Sequence, residues 1–581
     1  MAWLGVSALL SWYAALPAVD LRAMTDLGLV SVLPPASYLA FLLLAAAWAV
    51  TLAQRFPTWL AAGLVVVLVL MLYGTAPAAE GVARFSPTWR HLGIVDFITR
   101  NGAVQPNLDA YHNWPGMFAI ASFLGSVTGV GDLMPVVLWA PVWFNLLFLP
   151  PLFLVLSALT EDRRHVWLGI WLFYLADWIG QDYFSPQALG LLLFLVVMAL
   201  TVRWLSAGDR RDDAPVRDRG PVGRLRWLVG RLLARGSLHA ADLTPGRRAG
   251  LVVVAIVIYA FVVTAHQLTP FFIVACFAAL VILRRVPWPG LPILMTVMIA
   301  AWVSFMAVAF LIGHFQNVAG YVGALSESLT ANLTGRLQGS DAHRTVVYLR
   351  LATTGLVWLM ATFGVLRRLR RGQWDVTAVA LFVAPFPLLG VQAYGGEMLL
   401  RIYLFALPFA AFLAAALIVP TEVERPSIRG AAAVMAVSVV LMAGFVVGRY
   451  GNERMEYFTP NEVAAVADLY QIAPPGSLLV AATPNIPWKN TRYEEYRYRP
   501  VGDDTLYGHV DELIATMQLY PGRSFLILSR SQQAYAEMIL GAPPGDWSTF
   551  EKDVLGTGRF LVIYQNRDAQ IAEFQKSAPG G

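Results

Sequence analysis

Thirteen apolar stretches long enough to cross a bilayer recur in the first 450 residues. They cover 3–19, 34–53, 58–73, 134–158, 166–180, 186–204, 250–265, 270–284, 290–312, 345–366, 375–392, 401–419 and 430–448. In hydrocarbon every backbone N–H and C=O needs an internal partner, so each stretch reads as a helix. The expectation is an all-α polytopic membrane protein. Composition agrees: the 581 residues are 57% hydrophobic and 14% charged, with mean hydropathy +0.59. Soluble chains carry about 25% charged residues. Here 42 basic and 37 acidic residues are too few to coat the roughly three or four soluble domains that this length would make. A soluble multidomain enzyme, a disordered chain and a fibrous repeat are excluded. The first stretch lacks a basic leader and a small-residue cleavage site, and is read as a retained helix.

Arginine placement orients the bundle. Alternation from a cytoplasmic N-terminus puts Arg55, Arg163 and Arg164, the 203–249 segment, Arg284 and Arg285, Arg367 to Arg371, and Arg425 and Arg429 inside. The 203–249 segment holds 11 Arg, whereas 74–133, on the outer side, holds 3. The basic segment reads as a cytoplasmic loop, with an amphipathic helix near 222–234, whose arginines favour anionic headgroups of the membrane lipids. The net charge of +5 therefore belongs to topology and points to no nucleic-acid partner. The 39 Arg against 3 Lys suggest a GC-rich bacterial genome, hence a cytoplasmic membrane. Cys276, the single cysteine, can form neither an intramolecular disulfide nor a Cys-based metal site.

Thirteen spans leave the C-terminus outside. Residues 1–448 form the transmembrane domain and 449–581 a small extracytoplasmic α/β domain. In the latter, 477–482, 524–529 and 559–565 read as strands, and 461–472 and 531–540 as helices.

The outer loop 74–133 is too long for a simple connector. Helix-like pieces at 89–100 and 118–127 flank Asn107–Gly116, which carries Asp109, Tyr111, His112 and Trp114. Its carboxylates are Glu80, Asp96, Asp109 and Asp132. Other polar connections on the same side hold Asp177, Asp182 and Tyr183, His266, and Glu397 with Arg401. Glu397 and Arg401, spaced i, i+4, face each other on a helix. Ionisable groups at membrane depth are functional candidates by default.

This set suits an anionic lipid-linked substrate. Arginine forks onto phosphate oxygens, and Arg401 is the first candidate for that role, held by Glu397, with His266 and Arg344 at the same depth. A carboxylate can take the proton of an acceptor hydroxyl while a glycosyl phosphate bond breaks. Tyr111, Trp114 and Tyr183 can stack on sugar faces. A hard divalent cation, Mg²⁺ or Mn²⁺, could sit between an aspartate and a phosphate. Structural readings stand beside these: loop aspartates cap helices, Asp182 lies by a helix end, His266 can bond across helices, and Glu397–Arg401 can neutralise itself.

The spans, the long acidic outer loop with surface helices, and the stretches 89–96, 111–116 and 182–187 resemble the GT-C superfamily of membrane glycosyltransferases. The resemblance implies a polyprenyl-phosphate sugar donor and a cell-envelope glycan, lipid or protein acceptor. It also implies an outer-loop acid as base or metal-associated acid. Asp96 and Asp109 sit in the richer motifs, while Glu80 follows the helix exit most closely. The loop has no Asp-Glu or Asp-X-Asp pair, and two extra helices precede it. Alternative readings are a lipid-linked polysaccharide polymerase or ligase, and a lipid-linked sugar flippase or transporter.

Overall fold

The computed structural model describes every residue except 55, 207–237, 239–240, 242, 313–329, 331–333, 391–396, 420–427, 501–503 and 577–581. The expected amphipathic helix near 222–234 lies outside the described residues. All thirteen apolar stretches contain helix. By length and composition, eight helices among the described residues can cross a membrane: Pro35–Ala53, Thr58–Glu80, Ala140–Leu159, Pro186–Leu205, Pro245–Ala265, Asp341–Arg370, Met398–Ile418 and Ile428–Tyr450. Shorter apolar helices such as Thr269–Ile282 and Leu291–Phe305 pack among them.

Several boundaries differ from the sequence reading. The third helix runs on to Glu80, so the loop expected from residue 74 begins at Gly81. The stretch 134–158 breaks at Trp139 into Met134–Leu138 and Ala140–Leu159, with Pro141 opening the second. The stretch 290–312 is interrupted at 306–307 and is helical again over 308–312, and 375–392 keeps a regular helix only over Val376–Val383. The last membrane helix reaches Tyr450, two residues past the expected domain boundary. In each case apolar composition marked the segment and not its end; the third helix, for one, stops at Gly81 in the left-handed conformation.

Met398–Ile418 is the central helix; 89% of its most apolar window is buried. It packs tightly because small residues let neighbours approach. A Cβ on Gly364 would clash with the Leu413 carbonyl, whereas one on Gly169 would lie 3.4 Å from Phe412 Cα, in ordinary contact. The two surface helices, which we call α1 (Ser86–Asn101) and α2 (Gly116–Thr128), end at Gly102 and Gly129. There φ is +62° and +71°, values that glycine alone adopts without strain.

The connections gather at two ends. At one, Arg164 donates to the Gln54 carbonyl, Arg368 pairs with Asp375 and Arg367 reaches the Leu417 carbonyl. At the other, Arg454 meets Asp26, Ser86 donates to the Ile486 carbonyl, Arg449 meets Asp182 and His343 contacts Asn452. Arg164, Arg367 and Arg368, three of the arginines expected inside, therefore share the end opposite the C-terminal domain.

That domain has a five-stranded sheet in the order β2-β1-β3-β5-β4. Its strands are β1 Leu478–Ala481, β2 Arg497–Arg499, β3 Ser524–Ser529, β4 Phe560–Gln565 and β5 Ala569–Phe574. β1 is parallel to β2 and β3, and β5 is antiparallel to β3 and β4. Apolar clusters cover both faces. The helix Pro460–Ile472 starts with a full capping box between Thr459 and Glu462. Beyond the expected elements, the structure adds β2, β5 and the helices Val510–Leu519 and Asp546–Gly556.

Candidate functional site

Two groups of charged side chains lie between the bundle and the C-terminal domain. The first forms where the third helix ends. Its final turn buries Glu80, and one carboxylate oxygen of Glu80 has no hydrogen-bond partner. Arg84, four residues on and also buried, pairs with Glu453 and Glu456 just beyond the last membrane helix. Burial raises the Glu453 carboxyl; Arg84 opposes this and Glu456 adds to it, leaving it at about 7. Next to this group, Arg449 donates to Asp182 at 2.7 Å, and Asp182 also accepts from Asn145 at 2.5 Å. Glu80, Arg84, Thr88 and Tyr183 line a cleft that leaves room for about one water molecule.

The second group surrounds the Asn107–Gly116 stretch. Asp109 caps the turn at Tyr111 through its backbone N–H, at 2.9 Å. It also accepts both arms of Arg90, at 2.6 and 2.7 Å. Burial alone would raise its carboxyl, but the charge and hydrogen bonds of Arg90 hold it below the ordinary range. Lys489 of the C-terminal domain stands near this pair. Burial first, and then Arg90, push its amine down to about 8.

Arg401 begins the central helix and pairs with Glu397 at 2.6 Å, the spacing read from sequence. Arg336 approaches Glu397 at 3.7 Å. His266 accepts from Thr269 N–H at 3.1 Å through Nδ1, and burial followed by the Arg401 charge lowers it to about 3. Burial raises the Tyr111 hydroxyl, with the Arg90 and Asp109 charges acting on it next. A Cβ on Gly116 would lie 2.7 Å from Thr264 Oγ1, so only glycine lets α2 start against this histidine's helix.

A run of rings links the two groups. Tyr183, on the Glu80 cleft, stacks on His91 with centroids 5.7 Å apart, and His91 meets Tyr111 edge-on at 4.8 Å. His91 is fully buried and donates through Nδ1 to the Phe184 carbonyl at 2.7 Å, leaving Nε2 without a partner. Burial pushes this imidazole down to about 4.

The remaining sequence candidates lie apart from these contacts or serve the scaffold. Asp96 is partly exposed, pairs with Arg100 and accepts from the Arg492 backbone N–H at 3.0 Å, tying α1 to the C-terminal domain. His112 bonds the Tyr493 hydroxyl at 2.7 Å. Trp114 packs edge-on against Phe310. Arg344 is exposed and pairs with Asp341. Sequence reasoning missed Arg84, Arg90, His91, Arg336, Arg449, Glu453 and Lys489. The signal for Arg84 and Arg90 was there: two arginines in an otherwise Arg-poor outer loop.

Among the described residues, no three His, Cys, Asp or Glu side chains gather as a metal-ligand set. Arginines already pair with Asp109 and Asp182, so these two donors do not fit a hard cation.

No family model matches the sequence, and no curated protein matches it. Among solved structures, it is similar to an oligosaccharyltransferase of Archaeoglobus fulgidus tethered to an acceptor peptide. That likeness has 12% identity, covers 88% of this chain and 72% of that one, and scores a TM-score of 0.47. It is also similar to ArnT of Cupriavidus metallidurans bound to undecaprenyl phosphate, with 12% identity, 88% and 97% coverage, and a TM-score of 0.47. Likenesses this distant assign no function.

Proposed function

We propose that this protein is a membrane glycosyltransferase that moves a sugar from a polyprenyl-phosphate donor to an acceptor at the end of the bundle bearing the C-terminal domain. One observation carries this reading: Arg401 is buried at the first turn of the central helix and steadied by Glu397. A cation at that depth matches a phosphate whose prenyl chain stays in lipid, and a guanidinium can fork onto two of its oxygens.

In this reading the acceptor oxygen bonds to the anomeric carbon as the bond from that carbon to the phosphate oxygen breaks, Arg401 takes the charge on the departing phosphate, and a carboxylate accepts the acceptor's hydroxyl proton. Of the three acids, Glu80, which ends the third helix, suits that last task best. Asp109 is held ionised by Arg90 with its lone pairs occupied, and Asp96 holds the domain. Glu80 keeps one carboxylate oxygen without a partner beside a cleft the size of a hydroxyl group.

Arg401→Lys tests the reading, because lysine keeps the charge and loses the fork. In purified protein in lipid, donor binding should weaken about tenfold or more, while folding and expression stay normal. Unchanged donor affinity would reduce Glu397–Arg401 to a self-neutralised structural pair.

A further inference from the structure

A polar cavity of about 900 Å³ opens between the connection after the first helix and the C-terminal domain. Its lining includes neither Glu80 nor Arg401. Arg22 faces it from the bundle, and Arg567 faces it from the turn joining β4 to β5.

The charges around it do not balance. Arg454 is occupied by Asp26 and Glu537. Arg530 is occupied by Glu462 and by the carbonyls of Arg454 and Tyr457. Asp568 accepts from the Asn461 amide at 2.9 Å. That leaves Arg22 and Arg567, both exposed, without an acidic partner among the described residues. Two guanidiniums without an acidic partner among the described residues therefore line one cavity, one on the connection after the first helix and one on the C-terminal domain.

We propose that this cavity binds a phosphate carried on a polyol, such as a sugar phosphate or a glycerophosphate headgroup. A planar carboxylate is satisfied by one guanidinium fork, whereas a tetrahedral phosphate has oxygens enough for two guanidiniums. The remaining lining suits hydroxyls. The Thr25 and Thr459 oxygens each accept a backbone N–H, which leaves their O–H groups to donate. Asp568 retains acceptor capacity, and the volume falls in the range of small-ligand sites. The site stands whether or not the transferase reading does, because its evidence is a separate set of residues.

The test uses the purified full-length chain in phosphatidylcholine nanodiscs, titrated calorimetrically with glycerol 3-phosphate. Saturable, salt-sensitive binding is expected. It should weaken about tenfold or more in the Arg22→Gln/Arg567→Gln double variant, weaken less in Arg567→Lys, and stay unchanged in Arg497→Gln, on an exposed strand residue outside the cavity. Thermal unfolding should be the same for all, since the replaced side chains are exposed. Adding phosphatidylglycerol to the discs separates two sources of one chemistry: competition assigns the site to a lipid headgroup, and undiminished binding assigns it to a soluble phosphate. No saturable binding by the parent chain, or equal binding by the double variant, would overturn the proposal.

Discussion

Arg449 donates to Asp182 across 2.7 Å, with both side chains almost wholly removed from solvent. The contact ties the last membrane helix to the connection after Arg163–Ala176. Removing one member of a buried pair strands the other charge, which costs about 3–5 kcal/mol. Arg449→Met should therefore lower the unfolding temperature sharply in lipid. The double variant Arg449→Met/Asp182→Asn should recover part of the loss, because no charge is left stranded. A single variant as stable as the parent would show that the pair contributes nothing.

The outer-loop acids should separate by phenotype. Glu80→Gln keeps size and removes the base, so transfer should drop about a hundredfold or more with little change in folding. Asp109→Asn should also lower stability, by about 1–3 kcal/mol, since it loosens the fork of Arg90. Asp96→Asn should do little to turnover. Parallel measurement of transfer rate and thermal unfolding checks all three. Wild-type turnover in Glu80→Gln would remove it as the base.

Stability should depend on pH through Glu453. Its folded carboxyl is raised from the ordinary 4.5 to about 7, chiefly by burial. The neutral form is thus favoured in the folded chain. The stabilisation is full below about 4.5 and is lost as pH rises through about 7. Glu453→Gln should flatten the unfolding profile across that window. A profile of equal slope in parent and variant would assign the dependence to another group.

Orientation can be read by labelling. A cysteine at exposed Ser548, in the C-terminal domain, should react with an impermeant reagent added outside intact cells. One at exposed Arg371, at the opposite end, should react only after permeabilisation. Native Cys276 is buried and should stay silent. The reverse pattern would invert the bundle.

Much of the bundle was legible because a membrane helix announces itself locally, by length and composition alone. The ends were not: the break at Trp139, just ahead of Pro141, falls inside a continuous apolar run. In the C-terminal domain β3 reads clearly as Ser524–Ser529, six wholly buried residues. β2, the polar edge Arg497–Arg499, carries no apolar signal. The site divides the same way. Glu397 and Arg401 are one helical turn apart, so spacing revealed the pair. Arg90 and Asp109 are 19 positions apart, and only the fold brings α1 against the turn that follows it. Lys489 reaches the same place from the far domain, where nothing in its local sequence marks it.

Arg84 and Glu453 are 369 positions apart in the chain. At synthesis rates of roughly 5–20 residues per second, the arginine emerges some 20 to 70 s before its partner exists. Throughout that interval it must be kept hydrated at the membrane surface or borrowed by lipid headgroups. The loop around it can close only when the ribosome has nearly finished. The order of synthesis thus makes the loop's first turn among the last parts to set, and a chain that stops short of residue 453 would leave it open.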